Sequence, residues 1–107
     1  MKKVTFYKTM YNGKNNPPKL EKAEGYRETY TLPGTGETIS LVFEKRAYEW
    51  AITEESTGLL VRRNFNTRRD AINSITPELI RLIAEIIPGQ DRYRTSINIE
   101  RGKHEEV

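Results

Sequence analysis

The segment Arg62-Arg63-Asn64-Phe65-Asn66-Thr67-Arg68-Arg69 concentrates four arginines, two asparagines and an aromatic in eight positions. Guanidinium forks match the oxygens of phosphate and carboxylate, and asparagine amides add neutral donors. The chemistry this composition suits is recognition of an anion. The segment stands where a strand pattern gives way to a helix pattern, and the free N–H groups of a helix start favour an anion too. Arg68 and Arg69 fall in the expected first turn, where each cation opposes the helix dipole by about 0.3–1 kcal/mol at low salt. Asp70 offsets part of that cost, but stability alone would put acids there, so the placement points to use. Arg92-Tyr93-Arg94 repeats the basic–aromatic pairing further on, and would extend the same patch if it folds back beside it. The candidate nucleic-acid or partner-binding residues are therefore Arg62, Arg63, Asn66, Arg68, Arg69, Arg92, Tyr93 and Arg94. A solvated turn whose arginines pair with nearby glutamates is the competing reading.

Other constellations are weaker. Gly34-Thr35-Gly36 has the glycines of a phosphate-cradling turn but neither the lysine nor the following helix of a P-loop, and it joins two strand patterns. A hairpin turn is expected there. Glu44, Glu49, Glu54 and Glu55 could pair for acid–base work or hold a divalent cation. No Asp-rich calcium spacing accompanies them, and a solvated hairpin face is expected. Tyr48 and Trp50 could form a stacking platform for single-stranded bases, yet the same spacing suits the centre of a small core, which is the favoured reading. With no cysteine there is no thiol nucleophile, zinc knuckle or disulfide framework. The one histidine, His104, leaves no imidazole pair for a metal. A binder without cofactor or metal is expected rather than an enzyme.

The formal charge of +3 is unevenly spread. Residues 1–31 carry seven basic and three acidic side chains, residues 32–61 two and five, and residues 62–70 four and one. A basic chain of this kind suits an anionic partner without requiring one. Met1-Lys2-Lys3 has the positive flank of a signal peptide, but Lys8 interrupts the apolar run that would have to follow. A cytoplasmic protein is expected.

The elements that must hold the candidate residues come from the hydrophobic period. Alternation predicts strands over residues 3–11, 26–32, 39–43, 48–52 and 59–65. The short spacers favour antiparallel hairpins. Residues 12–25, with Asn12-Gly13, Asn15-Asn16 and Pro17-Pro18, are expected to form a long polar loop. Thr67 and Thr76 have the form of helix N-caps, with Pro77 suited to a first helical position, so helices are expected at about 68–75 and 77–87. Leu79, Ile80, Leu82, Ile83, Ile86 and Ile87 share one helical face. The expected fold is α+β, a four- to five-stranded, mostly antiparallel sheet with both helices packed on one face. Residues 1–89 then make a single domain. Residues 90–107 are an extension in which Tyr93, Thr95, Ile97 and Ile99 alternate as an extra strand or partner-facing arm, with residues 101–107 mobile.

Trp50-Ala51-Ile52-Thr53, Ser56-Thr57-Gly58, Val61 and Thr67-Arg68-Arg69-Asp70-Ala71-Ile72 together resemble a strand–turn–strand–helix pattern found in small accessory proteins of Gram-positive phages and integrative elements. The likeness covers about residues 48–75 and ends on a helix start of the form T-R-[KR]-x-A-I. It implies a mobile-element setting. Within that setting the chain is similar, more weakly, to type II anti-CRISPR inhibitors, which are often small, cysteine-poor and catalytically inert. The implied partner is a CRISPR effector nuclease or its guide RNA, since a basic chain does not imitate duplex DNA. A plain DNA- or RNA-binding accessory protein, and a protein–protein adaptor or homodimer that pairs through a sheet edge, are the alternatives.

Overall fold

The computed structural model describes the backbone of residues 1–105 and the side chains of residues 1–103. Five strands follow in order, β1 (Lys2–Met10), β2 (Lys19–Thr31), β3 (Thr38–Lys45), β4 (Trp50–Glu54) and β5 (Leu59–Phe65). Then come α1 (Arg68–Asn73), α2 (Pro77–Ile86), a 3-10 turn (Ile87–Gly89) and α3 (Asp91–Glu105). The strands form one antiparallel sheet in sequence order. This is the expected α+β class, with short hairpins doing the connecting.

The sheet is folded on itself. β2 is 13 residues long and serves two partners, pairing with β1 through Lys19–Arg27 and with β3 through Tyr26–Thr31. Gly25 stands where the pairing changes over. A Cβ there would lie 2.6 Å from Val42 Cγ1 and 2.9 Å from the Phe43 carbonyl, so only glycine lets the strands close up. The curl brings the two ends of the sheet together. The Thr9 N–H donates to the Gly58 carbonyl (2.8 Å) and the Thr9 hydroxyl to the Thr57 carbonyl (2.6 Å). Gly58 has φ +69°, and a Cβ on it would press against the Tyr7 carbonyl.

One face of β3 and β4 carries Ile39, Leu41, Phe43 and Ile52, which pack with Ala71 of α1 and Leu79, Ile80 and Ile83 of α2. The period-2 and period-3.6 patterns meet in that core. Both helices are capped as expected. Thr67 Oγ1 accepts from the Asp70 N–H (3.0 Å), Thr76 Oγ1 accepts from the Leu79 N–H (3.1 Å), and Pro77 opens α2. Leu82 and Ile86, expected on the buried face, are instead about half exposed.

Two expectations about the chain's organisation are corrected. The polar loop is limited to residues 11–18, because Lys19–Gly25 belongs to β2. Its Lys–Glu alternation is sustained by backbone pairing to β1 and by the ion pairs Lys8–Glu21 (3.3 Å) and Lys3–Glu24 (3.5 Å). Residues 91–105 are a helix, not an extra strand. Tyr93, Ser96, Ile97, Glu100 and Arg101 are sheltered and recur at helical spacing, with Gly102 beside them. Ile97 is fully buried, while Arg101 reaches Glu55 (3.4 Å). That face mixes apolar with polar residues, so hydrophobic period alone misreads it. Glu106 and Val107, the end of the expected mobile tail, lie outside the described residues. No helix among the described residues is long and apolar enough to cross a membrane.

Candidate functional site

β5 delivers Arg62 and Arg63, and α1 delivers Arg68 and Arg69. Asn64 between them has φ +73°, a left-handed conformation that asparagine tolerates better than most residues, and it sits at a bulge inside β5, where the pairing shifts between Ile52–Arg62 and Trp50–Phe65. Each arginine then meets a different fate. Arg62 Nη1 donates to the Ser74 carbonyl just beyond α1 (3.3 Å), tying strand to helix. Arg63 Nε lies 3.0 Å from Glu49 Oε1, although the aligned hydrogen bond runs to Oε2 at 3.4 Å. Glu49 Oε1 also lies 3.6 Å from Arg46 Nη1, leaving that oxygen with two nearby cations and no aligned donor. Arg68 makes no ion pair among the described residues. Its guanidinium carbon stands 4.7 Å over the Tyr26 ring and 5.9 Å from the Trp50 ring. Those rings are 6.3 Å apart and inclined by 40°, and Lys45 Nζ approaches Trp50 from a further direction (5.8 Å). Asn66 and Arg69 are exposed and have no side-chain partner among the described residues.

The start of α1 offers an anion little. α1 is only six residues long, Thr67 takes up one of its free N–H groups, and Asp70 occupies its first turn. What remains is the arginine side chains themselves and the rings beneath one of them.

Arg92-Tyr93-Arg94 does not join this surface through any shared neighbour. Arg92 donates to the Asn16 carbonyl and lies over the ring of Tyr93 (5.8 Å), and both residues border a cleft with Met10, Tyr11 and Lys14. Arg94 pairs with Asp91 (3.6 Å). Arg92 and Tyr93 therefore belong with the β1–β2 loop, while Arg94 borders a separate cleft with Arg27, Glu55 and Arg101.

Tyr48 and Trp50 part company. Tyr48 lies in the β3–β4 turn and is 99% exposed, whereas Trp50 begins β4 and packs at the margin of the core. The expectation of a shared core position holds for the tryptophan alone.

The four glutamates are not a solvated face. Glu44, Glu54 and Glu55 are buried, and the Glu49 side chain is only 12% exposed. Glu44 faces the curl of the sheet, Glu54 the opposite, apolar face, and Glu49 the β3–β4 turn, and each of the four has partners. Glu44 takes Lys8 (3.0 Å) and Arg46 (3.1 Å). Glu54 accepts from the backbone N–H and hydroxyl groups of both Ser56 and Thr57, at 2.7–2.9 Å, and so builds the β4–β5 turn. Glu55 receives a two-pronged contact from Arg27 (2.6 and 2.7 Å) with Arg101 behind it. That carboxylate raises the Arg27 pKa further above its already high ordinary value, chiefly by hydrogen bonding, against the opposing effect of burial. No group of three potential metal ligands occurs among the described residues. Gly34-Thr35-Gly36 is an exposed hairpin turn with φ of +86° and +72° at its glycines.

The residues that sequence reasoning missed are Tyr26 and Lys45; Glu49 is legible as a carboxylate, but not as the partner of Arg63. Tyr26 was legible as a strand residue and Trp50 as an aromatic. Their approach depends on register, Tyr26 facing Phe43 while Trp50 faces Lys45, and no local pattern announces that. Comparison with known family models, curated proteins and solved structures returns no match to this chain.

Proposed function

We propose that this chain is a non-enzymatic cytoplasmic binding protein that engages nucleic acid through the β5–α1 junction, using Arg62, Asn66, Arg68 and Arg69, with Arg63 held in reserve by Glu49. The observation that carries this reading is the distribution of counter-ions. Arg27, Arg46, Arg63, Arg94 and Arg101 each face a carboxylate, while Arg62, Arg68 and Arg69 face none among the described residues; Arg81 and Arg92 are likewise without one, but each stands apart from the other unpaired arginines in sequence. Three uncompensated guanidinium groups within eight residues make a local positive field that a phosphate backbone would neutralise.

The mobile-element resemblance gives the reading a concrete form, an anti-defence inhibitor that occupies the guide RNA of a nucleic-acid-guided nuclease or blocks its loading. A plain DNA- or RNA-binding accessory role uses the same surface. A protein–protein adaptor is the second reading. Leu60, Leu82 and Ile86, each about half exposed, favour it, since they border an apolar groove between β5 and α2.

Salt dependence separates the two. Binding through the arginines weakens steeply with salt, and Arg68→Ala/Arg69→Ala lowers the log–log slope by roughly 0.7–0.9 for each phosphate that is no longer neutralised. Mobility-shift titrations with RNA at several salt concentrations read this directly. An unchanged slope in the double variant would remove the junction from the proposal and leave the groove.

A further inference from the structure

Arg68 is set apart from the other junction arginines because its neighbours are rings. Charge alone would recruit phosphate equally well from Arg62 or Arg69, and needs no aromatic surface. Under Arg68 lie Tyr26 and Trp50, both only partly buried, with Lys45 over the same indole. A planar guanidinium over aromatic faces covers the kind of flat surface on which a nucleobase stacks, although the cation is held by its charge and the base by its π-face. A base could lie on the exposed guanidinium or displace it from the rings, and the backbone leading away would meet Arg62, Arg69 or Lys45. In a duplex the base faces are already occupied by neighbouring bases. Only an unpaired strand can offer one.

We propose that Tyr26, Trp50 and Arg68 form a base-stacking platform selective for single-stranded over double-stranded nucleic acid. This rests on the nucleic-acid reading above and narrows it to a substrate class. Arg68 is the switch between two occupancies, covering the rings in the free protein and stacking on or beside the base in the complex. Trp50 is the chain's one tryptophan, so fluorescence excited selectively at tryptophan, away from the six tyrosines, reports on this site.

The test titrates the full chain with a short oligouridylate, with its duplex on oligoadenylate, and with inorganic polyphosphate of matched charge, at one fixed salt. The expected result is quenching of Trp50 by oligouridylate, with affinity about tenfold or more above that for polyphosphate or duplex. Arg68→Lys keeps the charge and loses the plane. It should forfeit that advantage while binding polyphosphate as before, and Tyr26→Phe, which keeps the ring, should retain it. Thermal unfolding of both variants confirms that they are folded. Equal affinity for all three probes, unaltered by Arg68→Lys, would overturn the platform and leave the anion-binding reading standing. Absence of binding to any probe would overturn both.

Discussion

On the face of β3 and β4 that meets α1 and α2, Ile39, Leu41, Phe43 and Ile52 close against aliphatic helix residues, and the charged exception, Glu54, is satisfied by its own turn. On the opposite face the residues in between, Val42, Glu44, Ala51 and Thr53, look into the curl of the sheet. There Lys8 reaches Glu44, and at its far side Arg27 and Arg101 converge on Glu55. Both faces are buried, but they are held by different physics. The first gains from removal of apolar area and needs no particular partner at any point. The second also buries Val42 and Ala51, but it has in addition taken charges out of water and depends on each finding its counter-charge. A single deletion should therefore cost the first face a cavity and the second face an orphan.

The largest effect is expected from Phe43→Ala. Phe43 is fully buried at the centre of the apolar cluster, and removing its ring costs about 3–5 kcal/mol through forfeited transfer energy and the cavity left behind. Denaturant unfolding measures it, and the cost should be the same at low and high salt. A cost below about 1 kcal/mol would mean that α1 and α2 are not packed on this face as described.

Glu55→Gln should come next, at about 1–3 kcal/mol, because it leaves Arg27 and Arg101 without their shared carboxylate. Arg27 is about one-third exposed, so water recovers part of the loss and the lower half of that range is expected. Two signatures distinguish it from Phe43→Ala. The difference from wild type should shrink as salt is raised, and amide exchange should quicken along α3, which Arg101 anchors. A salt-independent loss confined to β4 would show that Glu55 acts by shape and not by charge.

The same contrast explains what could be read in advance. Alternation at Ile39, Leu41 and Phe43 and helical spacing at Leu79, Ile80 and Ile83 are hydrophobic signals, and they located the apolar face together with its capping threonines. Lys19–Gly25 and α3 belong to the parts held by hydrogen bonds and ion pairs. Their residue types are those of a solvated loop until a partner strand or carboxylate is in place. The candidate site divides likewise. The arginines at positions 62, 63, 68 and 69 declare themselves by type, but that Arg63 is neutralised by Glu49 while Arg68 lies over Tyr26 is a matter of tertiary register. Arg92 and Arg94 carry the same local signature and answer to another neighbourhood.

The smallest effect probes the rim of the apolar face with a charge that is absent at neutral pH. Tyr30 packs against the cluster from β2, and its phenol is pushed above the ordinary tyrosine range, first by burial and then by the nearby Glu28 carboxylate. In the unfolded chain that phenol ionises near pH 10. Between that point and the folded value, the unfolded state has released a proton that the native state still holds. Stability therefore should be flat in this term below about pH 10 and decline as pH rises through the folded pKa. Tyr30→Phe removes the term, so its unfolding free energy should decline less over that interval than that of wild type. Parallel alkaline profiles for the two proteins would mean that the rim admits an ionised phenol, and the division between a face that excludes charge and a face that pairs it would not extend to β2.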